Sequence, residues 1–271
     1  MKKVYIYILH LILFTMLTVL SQVGGLYYIL IVCFFNFFFK KWKIFQKVFF
    51  ALCSYLIFIA FCLPSLAKLN GRVPLPVFKS TNLKPSAAYV YLFNRHYVKQ
   101  NLRNNLHTVQ RKFNSKYPTR VIYYLDAGFP FLDKFPLLPH LSHADGRKID
   151  ISFIYENQSK NQLRGNPSMS GYGYFETPEK GEWNATKQCL NKNKYYEMTK
   201  FFPKKWNKAK YNLNKEASID LIKIFSSSKN LDKILLEPHL KTRWKLNNYQ
   251  NIRFQGCNAV RHDDHFHIQV K

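Results

Sequence analysis

Two short clusters of histidine and aspartate contain the residues best suited to chemistry. The first spans residues 139–150 with the sequence PHLSHADGRKID, and the second spans residues 261–268 with the sequence RHDDHFHI. Side chains two residues apart on a β-strand point to the same face, so His265 and His267 would present two imidazoles from one rigid element. Such a pair can bind a metal together, or can divide into one ligand and one acid–base group.

His143 and Asp150 flank a turn that contains Gly146 in the first cluster. Asp150 opens an apolar stretch, so its carboxylate lies close to a core and needs a partner or a metal. Two imidazoles and one carboxylate, with a fourth position left for water, are a typical ligand set of catalytic zinc. Any one of these histidines alone would more often be structural, but their joint occurrence predicts a Zn²⁺ site. Cys257 is the only thiol near either cluster, which argues against a closed site of several cysteines.

Hydropathy patterns in the rest of the chain predict the elements that position these clusters. The predicted strands are residues 120–126, 150–155, 234–237 and 265–270. The predicted helices are residues 87–117, 196–210 and 218–225, and residues 157–195 are predicted to form a long loop or flap. Because strands and helices mix without a β–α–β rhythm, the fold class is predicted to be α+β.

The first 67 residues differ in composition from the rest and predict a membrane anchor. They contain no Asp or Glu, since all 15 acidic residues lie at or after Asp126. Apolar runs occupy residues 4–20, 26–39 and 48–66, and the first and third reach the roughly 17–25 residues of a spanning helix. Two or three transmembrane helices are therefore expected. The alternative is a cleavable signal, because residues 63–67 imitate a cleavage site.

Lysines between the apolar runs indicate the orientation of the anchor. They precede the first run and occupy residues 40–47 between the second and third, whereas no Lys or Arg separates the first two. Because basic loops stay in the cytoplasm, the first two runs would form a hairpin and the third would lead the chain out. The soluble part would then lie on the periplasmic side of a cell inner membrane, with the protein crossing it several times. If the second run does not cross, the soluble part faces the cytoplasm.

Cysteine usage leaves one question open. Cys189 and Cys257 are the only two cysteines of the soluble part. Outside the cytoplasm they could form a disulfide or remain free thiols, and sequence alone does not place them within bonding distance.

The charge of the chain restricts its partners. There are 41 Lys and Arg against 15 Asp and Glu, a net charge of +26, while 17% aromatic residues exclude a disordered polyelectrolyte. A basic domain is attracted to the polyanionic cell wall and equally to nucleic acid. No signature of a nucleic-acid-binding fold is present, and the predicted location argues against such contact. Charge and predicted location therefore favour the membrane and an anionic surface outside the cytoplasm as partners, without nucleic acid.

The two clusters resemble those of the penicillin-insensitive murein endopeptidases. The resemblance rests on H-x-S-H-x-x-G-x-x-x-D at residues 140–150 and H-D-D-H-F-H at residues 262–267, with DLIKIF at 220–225 and ILLEPHLK at 234–241. It spans roughly residues 118–271 and does not include the apolar front. These enzymes belong with the lysostaphin, D-Ala-D-Ala peptidase and hedgehog-type zinc fold. Hydropathy and composition predict an anchor at residues 1–67 and a Pro-containing tether at 68–86, and the resemblance implies that residues 87–271 form a zinc metallopeptidase domain with a central, mainly antiparallel sheet.

The resemblance also implies a role for each histidine of the two clusters. The implied zinc ligands are His143, Asp150 and His267, with His140 as an accessory ligand or a support for them. His265 is implied as the general base or transition-state stabiliser, and His262 as a second active-site histidine. Either acid between His262 and His265 could orient a histidine through its second nitrogen.

The implied activity is hydrolysis of peptide bonds in peptidoglycan cross-links by a metal-activated water. The Glu-x-x-Trp-His pattern of related carboxypeptidases is missing from the sequence, which favours an endopeptidase. The alternative is a protein that binds zinc and the cell wall but is inactive, and serves as a scaffold.

Overall fold

The structure is a computed structural model that describes residues 2–78, 82–165, 167–201 and 211–271. Apolar helices form its front. They are α1 at Lys2–Ser21, α2 at Gly24–Phe38, α3 at Ile44–Ile57 and α4 at Leu63–Leu69, with a π-helical turn at Phe58–Cys62 joining the last two. Two of these stretches, Val4–Ser21 and Ile44–Leu69, are long and apolar enough to cross a membrane, and Gly24–Phe38 is shorter. The expected apolar helices are therefore present.

α1 and α2 pack closely as an antiparallel hairpin. A Cβ atom on Gly25 would overlap the hydroxyl of Thr18, so glycine is what allows the two backbones to approach. Further along the hairpin, His10 Nδ1 lies 2.6 Å from the hydroxyl of Tyr28. The turn of the hairpin therefore lies at Gln22, whose φ of 65° is in the left-handed region.

The turn of this hairpin packs on the folded domain. An apolar cluster, called here the anchoring cluster, contains Val23, Ile59, Leu63, Ala67 and Tyr97, with Phe131 packed against it. The Gln22 side-chain carbonyl accepts hydrogen bonds from the backbone N–H groups of Phe131 at 2.8 Å and Leu132 at 3.3 Å. On α3, the hydroxyl of Tyr55 donates to the carbonyl of Leu92 at 2.8 Å. The helices are thus part of the packed structure.

The folded domain combines helices with a mixed sheet. Its elements are β1 (Arg72–Pro74), β2 (Leu83–Pro85), α5 (Ala88–Leu92), β3 (Tyr97–Lys99), α6 (Gln100–Lys116), β4 (Ile122–Tyr124), β5 (Lys148–Ser152), β6 (Tyr155–Glu156), α7 (Ala185–Leu190), β7 (Asn212–Leu213), α8 (Lys215–Ser226), β8 (Leu231–Leu235), α9 (Pro238–Arg243), β9 (Ile252–Arg253) and β10 (His265–Val270). Within the described residues, the largest sheet has the strand order β2–β4–β5–β10–β8–β9. Its three central pairings are antiparallel and its two outer pairings are parallel. The predicted α+β class and mainly antiparallel sheet are confirmed.

The pairing of β5 with β10 joins the two chemical clusters. Their register places His267 opposite Asp150 and Phe266 opposite Ile151. The alternation of the strands sends Phe266, Ile268 and Ile151 into the main hydrophobic core, where they are fully buried. Cross-strand neighbours have Cβ atoms about 4.5–5.5 Å apart, so the same register brings the polar side chains into contact on the other face.

Several bounds differ from the sequence prediction for local reasons. Residues 68–86, predicted as a tether, contribute β1 and β2, and Leu75 and Leu83 are buried in the core. Residues 87–117 form two helices separated by β3, because Asn94 takes a left-handed φ of 56° that ends the first helix. α8 begins before the predicted residue 218, since Asn214 Oδ1 accepts the N–H of Ala217 at 2.9 Å.

The remaining elements follow the prediction in part. The predicted loop at residues 157–195 contains α7. The predicted helix at 196–210 contains a 3₁₀ turn at Met198–Phe201, and residues 202–210 lie outside the described residues. The strand at 265–270 has the predicted bounds, as β10.

Cys189 and Cys257 form a disulfide, with Cα atoms 4.8 Å apart. This decides between the two alternatives for the soluble cysteines. The bond connects α7, in the predicted flap, to the segment that precedes the second histidine cluster. A cross-link across 68 residues restricts the unfolded chain and holds the flap near the site.

Replacing both Cys189 and Cys257 with serine should lower the free energy of unfolding by about 2–4 kcal/mol. Denaturant unfolding of the full chain in detergent would measure the loss. The matched control is Cys33→Ser, because Cys33 is a free, exposed cysteine on α2. Equal stability of the double variant and the control would contradict the structural role of the bond.

Candidate metal centre

The structure brings all the predicted site residues into one buried centre. Each has 6% or less of its surface exposed: His140, His143, Asp150, His262, His265 and His267. Asp150 lies on β5, His265 and His267 lie on β10, and His140 and His143 lie on the loop that leads into β5. The two distant clusters therefore converge as the sequence predicted.

Three ligand atoms form a compact triangle. His143 Nε2 lies 3.0 Å from His267 Nδ1 and 3.2 Å from Asp150 Oδ1, and His267 Nδ1 lies 2.8 Å from Asp150 Oδ1. Ligands that lie ~2.0–2.1 Å from a tetrahedral metal are ~3.3 Å from one another. The spacing of the three atoms is therefore close to one face of such a coordination sphere.

His143 is fixed in the form that can bind a metal. Its Nδ1 lies 2.9 Å from the carbonyl oxygen of Ala127, which can only accept a hydrogen bond. Nδ1 therefore carries the proton, and Nε2 presents its lone pair to the triangle. The backbone of β4 and the loop after it thus sets the orientation of this ring.

His140 stands on the other side of the carboxylate. Its Nδ1 lies 3.2 Å from Asp150 Oδ2, whereas His143 and His267 approach Oδ1. Candidate ligand atoms of His140, His143 and Asp150 lie within 4.8 Å of one another, so this buried group could also hold a metal ion. Nε2 of His140 has no hydrogen-bond partner among the described residues.

A second carboxylate, which the sequence analysis did not select, supports His140. Asp126 Oδ2 lies 3.3 Å from His140 Nδ1, and Asp126 Oδ1 lies 2.9 Å from Arg95 Nε. Burial opposes ionisation of Asp126, but Arg95 and His140 lower its pKa below its ordinary value. A signal was present in the sequence, because Asp126 is the first acidic residue of the chain and follows a strand.

Tyr172 is a further residue that the sequence analysis missed. Its hydroxyl donates to Asp150 Oδ2 at 2.9 Å and accepts the backbone N–H of Asp126 at 3.2 Å. The ring also lies edge-on to His140 and His265, with centroids 4.4 and 5.0 Å away. The long loop at 157–195 thus contributes a buried side chain to the centre, and the only sequence signal was a tyrosine between Gly171 and Gly173.

His265 is oriented by the acid beside it. Its Nδ1 lies 2.5 Å from Asp264 Oδ1, and Asp264 Oδ2 accepts the N–H of Gly173 at 2.5 Å. Its Nε2 lies 3.6 Å from Asp150 Oδ1 and has no hydrogen-bond partner within the described ranges. Burial opposes protonation of His265, but Asp150 and Asp264 raise its pKa to about 9. Nε2 of His265 therefore faces the three ligand atoms but is not one of them.

His262 is held through its backbone. Its N–H donates to Glu237 Oε1 at 3.1 Å, and the same oxygen accepts the hydroxyl of Tyr196 at 2.6 Å. The ring centroid of His262 lies 5.0 Å from that of His265. Burial, together with the neighbouring histidines, lowers the pKa of His262 well below its usual range. The ring is therefore neutral and close to the same space.

Arg261 and Asp263 have a structural role. Arg261 donates to both oxygens of Asp263, at 2.7 and 2.5 Å, and to Glu197 at 2.5 Å. Its guanidinium also stacks 3.9 Å from the centroid of the Phe175 ring. Of the two acids that the sequence offered, Asp264 therefore orients a site histidine, and Asp263 pairs with an arginine.

The electrostatics favour a cation between the ligand atoms. Burial lowers the pKa of His267 to about 4, so its ring is neutral, which is the form that binds metals. Burial opposes ionisation of Asp150, but the surrounding histidines hold its pKa well below its usual range. The ionised carboxylate of Asp150 beside the neutral ring of His267 offers a cation one negative charge and an imidazole lone pair.

A cleft of about 530 Å³ leads to the centre. Its walls include the exposed side chains of Leu138, Leu141 and Tyr195, and its floor includes His143 and His267. A cleft of this size can accept a peptide segment.

No family model matches the chain, and no curated protein matches it either.

The turn between His143 and Asp150 depends on Gly146. Its φ is +67°, and a Cβ atom there would overlap the buried guanidinium of Arg72, which pairs with Asp133. Gly146→Ala should therefore cost both backbone strain and displacement of Arg72, about 2–4 kcal/mol in total.

The control for this substitution is Gly71→Ala. Gly71 has a similar φ of +69°, but a Cβ atom would meet nothing within 4 Å. We expect this control to lose only the backbone term, about 1–2 kcal/mol. Denaturant unfolding of both variants measures the difference, and equal losses would show that the contact with Arg72 does not matter.

Proposed function

We propose that this chain is a membrane-anchored zinc metallopeptidase, of the murein endopeptidase type, that hydrolyses peptide bonds in peptidoglycan cross-links. The observation that carries the proposal is the triangle of His143, Asp150 and His267, with the free Nε2 of His265 beside it. A buried imidazole nitrogen without a partner, beside three potential ligand atoms, fits a site that is completed by an ion or a substrate.

The donor set supports zinc as the ion. Two imidazole nitrogens and one carboxylate oxygen are the ligands of a common class of catalytic zinc sites, which keep a further position for water or substrate. The buried nitrogens that lack a partner, on His140 and His265, fit a site completed by an ion and its substrate. When bound, zinc supplies a Lewis acid that activates water near neutral pH and polarises a carbonyl group.

The residues around the ion divide the remaining work. Asp264 holds Nδ1 of His265, so proton exchange takes place at Nε2. With a pKa of about 9 this nitrogen carries a proton at neutral pH and can deliver it to the leaving amine; beside a bound cation that proton is repelled, which leaves Nε2 able to take one from the attacking water. His262 is close enough to donate a hydrogen bond to the developing oxyanion. Tyr172 and Asp126 keep Asp150 and His140 in position.

Several features support an extracytoplasmic domain on a multi-pass anchor. The turn of the α1–α2 hairpin and the end of α4 both pack on the domain, through the anchoring cluster. The lysines at residues 40–47 lie at the ends of α2 and α3 that are farthest from the domain. A basic end in the cytoplasm puts the domain on the other side, in the periplasm when the membrane is an inner one. The Cys189–Cys257 disulfide is typical of that side.

The test uses the full chain in detergent, loaded with Zn²⁺, on purified cross-linked muropeptides. Mass spectrometry should show new peptide ends, and the His265→Ala variant should produce none. Full zinc occupancy without any cleavage would overturn the proposal. That outcome would support the alternative of an inactive, wall-binding scaffold.

A further inference from the structure

Two helices of the front, α2 and α3, are shorter than the thickness of a bilayer between their basic ends and the folded domain. α2 has 15 residues, which span about 22 Å at 1.5 Å per residue. Along α3, the distance from Ile44 to Ile59 in the anchoring cluster is also about 22 Å by the same rise. The hydrocarbon core of a bilayer is about 30 Å thick. Measured along α2 and α3, the level of the anchoring cluster therefore falls about 8 Å short of the far boundary, whereas α1, with 20 residues, spans about 30 Å before the same turn.

Parts of the folded domain lie at this same level. Phe131 packs on the anchoring cluster, and Leu132, which bonds to Gln22 at the hairpin turn, has 61% of its surface exposed. Leu92 is bound to Tyr55, which lies nearer still to the basic end of α3. Residues of the domain therefore sit beside helical segments that a bilayer of ordinary thickness would cover.

The segment that contains Leu132 continues directly to the cleft. Leu138 and Leu141 line the cleft, and more than half of each side chain is exposed. Arg95 donates to the carbonyl of Leu138, and the preceding residue, Asn94, donates to Tyr55 of α3 at 3.1 Å. This loop is thus attached to the helical front directly beside Leu132 and indirectly at Leu138, through Arg95 and Asn94. It exposes three leucines, Leu132, Leu138 and Leu141, which are called here the apolar rim, and the exposed Asp133 and Lys134 lie between the first two.

A neighbouring hollow has the composition of a membrane interface. It measures about 640 Å³ and lies between Leu56 of α3 and the domain. Phe78, which is 81% exposed, and Lys84 both line it. Aromatic and basic side chains are enriched at the level of lipid headgroups. A second exposed apolar region therefore lies where α3 meets the domain.

We propose that the apolar rim of Leu132, Leu138 and Leu141 is seated in the leaflet nearest the domain, so that the metal cleft opens at the membrane surface. The partner of this face is the lipid bilayer. Resting on the proposed function, the consequence is a substrate class: peptides attached to a membrane-embedded lipid, rather than peptides in the wall beyond reach of the cleft.

Depth measurements test the lipid contact independently of catalysis. Cys33, Cys53 and Cys62 are replaced with serine in the full chain, while the disulfide is kept. A single cysteine is then introduced by Leu138→Cys and labelled with a small fluorophore in phospholipid vesicles. Bromine on the lipid acyl chains should quench most of the fluorescence, and aqueous iodide should quench little.

The matched control is Glu216→Cys, because Glu216 lies exposed in the first turn of α8, where it pairs with Lys116 at the end of α6. A label there should respond to iodide and not to brominated lipid. If the label at residue 138 responds like the control, the rim is not in the leaflet and the proposal is overturned. A bilayer that becomes thinner around the helices would leave the label at residue 138 in water and so produce the response of the control.

A second variant tests the substrate class. Leu132→Asp puts a charge on the rim at a position outside the cleft lining. It should lose cleavage of a peptide anchored to vesicles by a lipid, and retain cleavage of the same peptide in solution. Equal rates on both substrates would overturn the inferred class. Failure to cleave either substrate with the unaltered chain would count against the proposed function, while the quenching result would still stand.

Discussion

His267→Ala should remove the metal from the protein and abolish hydrolysis, whereas His140→Ala should retain the metal. The reason is geometric: His267 shares the Oδ1 side of Asp150 with His143, and His140 faces Oδ2. Loss of one of three ligands should lower zinc affinity by more than the ~10–100-fold expected for a residue that only supports a ligand. His143→Ala and Asp150→Ala should behave like His267→Ala.

Metal content per chain, measured by mass spectrometry after dialysis against a weak chelator, provides the readout. Circular dichroism and denaturant unfolding identify variants that have simply lost their fold. Loss of metal from His140→Ala together with retention in His267→Ala would instead assign the ion to the His140, His143 and Asp150 group. Full occupancy in His143→Ala would exclude both ligand sets.

His265→Ala should keep its metal and lose about 10²–10⁴-fold in the rate of peptide hydrolysis. His265 faces the triangle through an unbonded nitrogen, which is 3.6 Å from Asp150 Oδ1. Its removal should therefore affect proton transfer more than metal binding. The rates of the wild type and the variant are compared at equal zinc occupancy.

A useful companion is His265→Gln, which preserves a polar side chain at this position but cannot transfer a proton at neutral pH. It should be as inactive as the alanine variant if proton transfer is the role. Wild-type activity in either variant would remove His265 from the mechanism.

The convergence of the clusters could be predicted because it depends on local pattern. The alternation in residues 265–270 matches β10, and it places His265 and His267 on one face with Phe266 in the core. The apolar stretch after Asp150 likewise formed a strand beside β10. Period-two hydropathy is enough to define such strands, since one face must be buried.

The supports of the site could not be predicted in the same way. Asp126, Tyr172 and Arg95 reach the centre only through the tertiary fold, and the local signals at Asp126 and Tyr172 do not specify that contact. The strands within residues 68–86 were hidden for a related reason. They are three residues long, and their Pro-containing sequence is stabilised by partners far away in the chain.

The bonds from Gln22 to Phe131 and Leu132 have a consequence for attempts to produce the domain alone. A truncated version that begins after the helices would expose Tyr97 to water and release the peptide groups of the loop that leads to His140. We expect such a fragment to be poorly soluble and to lose affinity for metal. Biochemistry on this protein therefore requires the intact chain in a detergent or lipid environment.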